Sequence, residues 1–428
     1  MTSKVRFACH GCGAAVDASR ALPFRCPAAD AAGDTDHVLV PEERGDPFPA
    51  GGEPDPFVRY RALLSPYRLA RAAGLPDSAW SEIAGQLDDA LVRAGGRGFR
   101  VTPLAARPEL ARAAGVAGRV WVKDETVNVS GSHKARHLML VMLYLRVLEA
   151  ARLPAAEGAR GRRLAIASCG NAALAAAVVA RAAEWPLDVF IPAGASAAVV
   201  RRLQDLGARI AVCGRRAGEA GDPCFLRFRE AVQAGAIPFG VQGSENGLAV
   251  EGGRTLAFEV AEGLRALQAA PTSLFVQVGG GALASALAQG FAVAARLGVL
   301  ERPPRLMAVQ TSGCAPLERA WRRLGTTTLA EAARTRSRFM WPWETTPASL
   351  AHGILDDETY DWWAIADAMR ATGGGPVVVG EDLVARAHAL AREHTGIAVS
   401  ATGTAGLAGV LAGSPDGDAL VIFSGVER

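Results

Sequence analysis

From residue 164 onward, short apolar runs alternate with longer segments whose apolar positions recur every three to four residues. The runs at 164–168, 188–192, 209–213, 237–241, 273–279, 305–310, 376–380 and 419–424 read as strands. The segments between them, such as 195–206 and 283–297, carry a helical period. This alternation predicts an α/β body with open, twisted, largely parallel sheets flanked by helices. Upstream, Val120-Trp121-Val122 reads as a further strand, and Asn128-Val129-Ser130-Gly131-Ser132 as a turn. Ser132 is positioned to cap a helix over 133–148, with Leu138, Val141, Met142, Leu145 and Leu148 at helical spacing. Residues 59–95 read as helical, with Trp80, Ile83, Leu87 and Leu91 on one face. Pro47, Pro49, Gly51, Gly52, Pro54 and Pro56 mark 46–58 as a linker. Residues 325–360, with Trp341, Trp343, Trp362 and Trp363 around their end, are irregular and suit a lid or an interface. No internal repeat is visible.

A length of 428 residues allows two or three domains and a large core. Half the residues are hydrophobic and 21% are charged, the balance of a globular enzyme. A net charge of +3 is too small to imply nucleic acid or a membrane surface as partner. The start shows no basic stretch followed by an apolar run, so no secretory leader is expected. The most apolar segment, 164–180, is interrupted by Ser168, Gly170 and Asn171 and is not expected to span a membrane. Seven scattered cysteines, an odd number, point to a reduced cytoplasmic protein without a disulfide framework.

Residues 1–45 differ from the rest. Cys9-His10-Gly11-Cys12-Gly13 is a knuckle of the zinc-ribbon kind, followed by Cys26 and His37. Cys9, Cys12, Cys26 and His37 would make a Cys3His zinc site; the other reading is three free cysteines in a degenerate ribbon.

Of 46 basic residues only Lys4, Lys123 and Lys134 are lysines. Lys4 belongs to a terminal tail. Guanidinium replaces an ammonium as a charge but not as a nucleophilic amine. Lysines kept in an arginine-biased chain therefore suggest amine chemistry, unless codon bias left them by accident. Lys134 falls in the first turn of a buried helix, where the positive helix end and a dry setting both favour the free amine.

Two loops suit a ligand. Ser168-Cys169-Gly170-Asn171 joins a strand to a helix, where parallel α/β sheets bind ligands. Asn171 there can cap the helix. Val278-Gly279-Gly280-Gly281-Ala282-Leu283 ends a strand and opens a helix, a setting for a phosphate. Gly279-x-Gly281-x-x-Ala284 also fits a dinucleotide fingerprint and keeps an NAD-dependent dehydrogenase open. No acidic residue closes a following strand about 20 residues on, as that motif requires.

Lys123-Asp124-Glu125 and Asn128-Val129-Ser130-Gly131-Ser132-His133-Lys134 resemble the Schiff-base lysine region of fold-type II pyridoxal phosphate (PLP) enzymes. That superfamily includes threonine synthase, the serine and threonine dehydratases, cysteine synthase and the tryptophan synthase β chain. Further matches run in family order over 101–428: Val101-Thr102-Pro103-Leu104, Ser168–Asn171, 244–252 with Thr255 and Glu259, the glycine loop, 396–403, and the closing Ser424-Gly425. Glu251 and Glu259 otherwise read as charges on a helix face. The resemblance implies a large PLP-binding domain from 101–140 and 241–428 and a small α/β domain from 141–240. Residues 1–45 would be a zinc-ribbon-like extension, as in some threonine synthases, and 46–100 a linker and helical segment.

By resemblance, Lys134 holds PLP and acts as base, and Ser424 faces the pyridine nitrogen. Gly279, Gly280, Gly281, Ala282 and Leu283 cradle the phosphate, and Asn171 contacts the 3′-oxygen. Ser130, Ser132, Ser168, Cys169, Gly170 and Asn171 bind the amino-acid substrate. Cys169 stands where the family has serine. Ser424-Gly425 and Ala135 after the lysine favour β-elimination or β-replacement over threonine synthase chemistry on O-phosphohomoserine. A homodimer is the expected assembly.

Overall fold

The computed structural model describes residues 5–428 apart from 32, 44, 50 and 220. Lys4, read as part of a tail, lies outside the described residues. Three sheets organise the chain. β1 (Arg6–Cys9), β2 (Ala15–Asp17) and β3 (Leu39–Pro41) form a small antiparallel sheet in the order β2-β1-β3. β4 (Leu104–Ala106) and β5 (Val120–Asp124) belong to a six-stranded sheet. β6 (Leu164–Ala167), β7 (Leu187–Pro192), β8 (Arg209–Cys213) and β9 (Ile237–Pro238) form a parallel four-stranded sheet in the order β8-β7-β6-β9. β10 (Ser273–Gln277), β11 (Arg305–Thr311), β12 (Gly375–Val379) and β13 (Ala419–Phe423) complete the larger sheet, in the order β12-β11-β10-β13-β5-β4. Only β4 runs antiparallel in it. The α/β architecture with helix-flanked, mostly parallel sheets is thus the expected one.

That order positions the site. β5, β13 and β10 are parallel neighbours, so their carboxyl ends lie side by side. Parallel sheets bind ligands at such ends, where strand gives way to helix.

The helix Lys134–Ala150 leaves β5's end and is apolar nearly all round; only Lys134, Arg146, Glu149 and Ala150 escape full burial. A helix without a polar face must be covered on every side. The N-terminal sheet supplies part of that cover: Phe24 stacks edge-on against Tyr144, whose hydroxyl donates to the Ala18 carbonyl at 2.8 Å.

Several local expectations are corrected. Residues 59–95 do not form one helix but Ser65–Ala72 and Asp77–Gly95, preceded by single turns at Pro56–Arg59 and Arg61–Leu63. Pro66 and Pro76 explain the breaks, because proline starts helices and does not continue them. The first of those turns intrudes on the expected linker. Ser132 is not the cap of the lysine helix. Its backbone is extended and bridges Gly425, and His133 takes the N-cap position without a side-chain cap. Asn171 likewise is the first residue of the helix Asn171–Ala182, with Gly170 as its N-cap.

Candidate active site

Lys134 opens its helix beside the end of β13, because the Ser424 carbonyl accepts from the backbone amide and the Nδ1 of His133, each at 3.1 Å. Burial pulls the Lys134 amine below the ordinary lysine range, and the carboxylates of Asp356 and Asp361 pull it partly back. Lys123, the other internal lysine, is only 1% exposed and tied down: Nζ donates to Glu259 Oε2 and to the Thr102 carbonyl, each at 2.6 Å. Burial lowers the Lys123 pKa too, with Glu259 and Glu125 pulling it back up, but a nitrogen held from both sides is a structural group and not a free nucleophile.

The same Glu259 accepts from Arg136 at 2.6 Å, and Arg136 also forks onto both oxygens of Glu125 at 2.8 Å. Burial opposes both charges. Mutual attraction nevertheless raises the Arg136 pKa and lowers that of Glu259. Glu251, two turns earlier on the helix Gly247–Ala266, accepts from the amide and hydroxyl of Ser65. Neither glutamate is a solvated face charge; both are buried.

The glycine loop lies between β10 and the helix Ala282–Arg296. Gly281 has φ +99°, a conformation that side chains resist, and a Cβ on Gly279 would fall 2.3 Å from Asp356 Oδ2. Segment 354–361 lies along this loop. Thr359 donates to the Gly279 carbonyl at 3.0 Å, and the Asp361 amide donates to that of Gly280 at 3.1 Å. The Gly280 amide donates to Asp356 at 2.8 Å, so the loop already offers a backbone donor to an oxygen acceptor. The amides of Gly281, Ala282 and Leu283 find no acceptor among the described residues, as a helix start leaves them. The donor set fits a phosphate.

Ser424 follows β13, next to β10. Its Oγ accepts from the side-chain amide of Gln277, whose nitrogen also donates to the carbonyls of Gly403 and Ile422 at 3.2 and 3.1 Å. Two carbonyls can only accept, so the amide orientation is settled, and the Ser424 proton is left for another partner.

Beside Ser424, in the turn that bridges Gly425, Ser130 and Ser132 bury hydroxyls with no partner. Ser130 holds φ +53°, a strained value costing on the order of 1 kcal/mol. Orphaned hydroxyls and local strain are expected where a ligand completes the bonding. Ser168 Oγ accepts from the Gly170 amide at 3.4 Å, while Cys169 is exposed. Asn171 Oδ1 accepts from Arg428 Nε at 2.7 Å, which leaves its amide group as a donor.

Apart from this site, Cys9, Cys12, Cys26 and His37 place their ligand atoms within 4.8 Å of one another. Gly11 is forced by close approach, since a Cβ there would sit 1.9 Å from the Asp36 carbonyl oxygen.

The model of the family described as pyridoxal-phosphate dependent enzyme matches residues 97–425, which include Lys134, the glycine loop and Ser424. The chain belongs to this family. It is 29% identical over 273 residues to threonine synthase of Synechocystis sp., covering 62% of this chain and 66% of that protein. It is 27% identical over 229 residues to L-serine dehydratase of Saccharomyces cerevisiae, covering 52% and 64%. The alignments therefore span less than two thirds of these relatives. Maize serine racemase shares the fold with a TM-score of 0.59 at 18% identity, covering 80% of this chain and 93% of that one.

Gln277, Asp356, Asp361 and Arg136 were not foreseen. Asp356 and Asp361 lie in an aperiodic stretch. Gln277 ends a strand that reads as core, and Arg136 follows the expected lysine with no distinguishing spacing.

Proposed function

We propose that this chain is a PLP-dependent lyase or synthase that acts on an amino acid by β-elimination or β-replacement. The observation that carries this is the convergence of Lys134, the glycine loop and Ser424 at the adjacent ends of β5, β10 and β13. Gly279 through Leu283 would hold the phosphate, Lys134 the aldehyde carbon and Asn171 the 3′-oxygen. When bound, PLP supplies an electron sink for charge developing at the amino acid's Cα. Lys134, freed as an amine in a dry setting, takes the Cα proton. Ser424, held as a donor by Gln277, offers the ring nitrogen a neutral partner. A neutral partner delocalises charge less deeply than a carboxylate would, which favours prompt loss of a β leaving group. Ser130, Ser132, Ser168, Cys169, Gly170 and Asn171 would take the substrate carboxylate. Threonine synthase activity on O-phosphohomoserine is the second reading, favoured by the Synechocystis relative and the N-terminal module. The dehydrogenase reading of the Gly279 loop is set aside, since that loop falls inside the family match.

We further propose one zinc ion on Cys9, Cys12, Cys26 and His37, a homodimer, and a cytoplasmic setting. All seven cysteines are free. Among the described residues no helix is long and apolar enough to cross a membrane.

Lys134→Ala is expected to abolish turnover while retaining PLP noncovalently through the glycine loop. Borohydride treatment of the wild type should bleach a visible band and fix the cofactor to Lys134, as read by peptide mass. Wild-type turnover by Lys134→Ala would refute the assignment.

A further inference from the structure

Arg428 touches two of the candidate ligand residues. Its Nε donates to Asn171 Oδ1 at 2.7 Å, and its Nη2 donates to the Ser130 carbonyl. Backbone bonds hold it in place: the Val426 amide donates to the Gly131 carbonyl and the Glu427 amide to that of Ala398, each at 2.9 Å. Among the described residues no carboxylate pairs with Arg428. Glu427 beside it meets His388 instead, at 2.9 Å. Partial burial lowers the Arg428 pKa, and no neighbouring carboxylate raises it.

A guanidinium has only donors, so the atom of Asn171 that faces it must be the oxygen. Turning the amide over would set N–H groups against N–H groups. The Asn171 nitrogen therefore faces the other way. It lies against Gly425, where a Cβ would come within 2.7 Å of it, one residue past Ser424. Among the described residues that N–H group has no acceptor. Nor does the side chain cap its own helix, whose N-cap is Gly170. We propose that Arg428 is a positioning residue of the PLP site: it fixes the Asn171 amide so that its N–H group, and not its oxygen, meets the cofactor's 3′-oxygen. The proposal rests on PLP at this site and deepens that reading. Without the guanidinium, the two amide orientations lose the contact that distinguishes them, and in one of them oxygen would face oxygen.

The fork of the guanidinium suits this task. One nitrogen holds Asn171, the first residue of the helix Asn171–Ala182, and another holds the turn that precedes Lys134. The 3′-oxygen and the aldehyde carbon of PLP stand on neighbouring ring atoms. Arg428 thus sets the residue that meets the oxygen in register with the lysine that takes the carbon. A lysine ammonium is a point charge and has no such fork.

The test uses the full-length protein stripped of cofactor. It is titrated with PLP and with 3-deoxypyridoxal phosphate, which keeps the phosphate and the aldehyde but lacks the 3′-oxygen. Affinities are read by equilibrium dialysis. Arg428→Met is expected to weaken PLP by roughly 10-fold, the scale of one oriented hydrogen bond, and to change the affinity for the deoxy compound by less than about 2-fold. In an Asn171→Ala background, Arg428→Met is expected to have no further effect on PLP, since it acts only through Asn171. Equal losses for the two compounds would overturn the proposal, because a merely structural tie cannot tell an oxygen from a hydrogen at that ring position. An unchanged PLP affinity in Arg428→Met, or losses that add in the double variant, would overturn it as well. A wild type that binds neither compound would remove the PLP reading itself, and the proposal with it.

Discussion

Gln277 sets the polarity of Ser424. Its amide nitrogen faces the carbonyls of Gly403 and Ile422, so the Ser424 oxygen must accept and its proton must go elsewhere. In Gln277→Met the Ser424 hydroxyl is released from that constraint and can turn toward the vacated carbonyls. The expected result is PLP content near wild type, kcat lower by about 10-fold, the scale of one buried hydrogen bond, and an altered pH titration of the visible band. An unchanged titration and kcat would remove Gln277 from the mechanism. The two internal lysines divide at the same scale. Composition singles out both, the motif picks Lys134, and their surroundings differ accordingly: Lys123 is locked to Glu259 at 2.6 Å, whereas burial draws the Lys134 amine below the ordinary lysine range.

The lysine helix is held by charge as well as by packing. Arg136, two residues past Lys134, joins Glu125 at the end of β5 to Glu259 on the helix Gly247–Ala266. Lys123 and Thr102 close the same network. All of these groups are buried, so each charge depends on its partner. Arg136→Met would leave two buried carboxylates short of a cation. The expected cost is about 3–5 kcal/mol in denaturant unfolding, larger than a surface arginine substitution would give. The period of apolar residues predicted this helix well, because helical spacing is local. Its first turn was misread at Ser132, whose backbone is drawn into a bridge with Gly425 from the far end of the chain.

The N-terminal module is part of the molecule's body. His10, inside the Cys9–Cys12 knuckle, stacks on Trp363 with ring centroids 4.0 Å apart. The Asp36 amide donates to the Ala333 carbonyl at 2.6 Å, and the Gly247 amide to that of Phe24 at 2.9 Å. Trp363 lies two residues from Asp361, whose amide donates to the Gly280 carbonyl at 3.1 Å, so the knuckle packs against the segment that meets the glycine loop. The holoprotein is expected to carry one zinc per chain by elemental analysis. Cys12→Ser should lose that metal, lower the thermal midpoint and change tryptophan fluorescence. Metal-free protein with an unaltered midpoint would leave the cluster as packing alone.

The strands were legible in the sequence, as were the candidate lysine and glycine loop: each depends on residue types at short spacing, namely alternation, an amine kept among arginines and a strand–glycine–helix junction. The closing serine was singled out only by family resemblance. The partners that give these groups their charge and direction were decided by tertiary structure. Gly280 and Asp356 are 76 residues apart, Lys123 and Glu259 136, and Gln277 and Ser424 147. Asp356 and Asp361 sit in a stretch with no period, where a carboxylate reads the same whether solvated or buried. Only the parallel order of β10, β13 and β5, and the segment laid along the glycine loop, bring such residues to one end of the sheet, where burial sets how strongly each charge is felt.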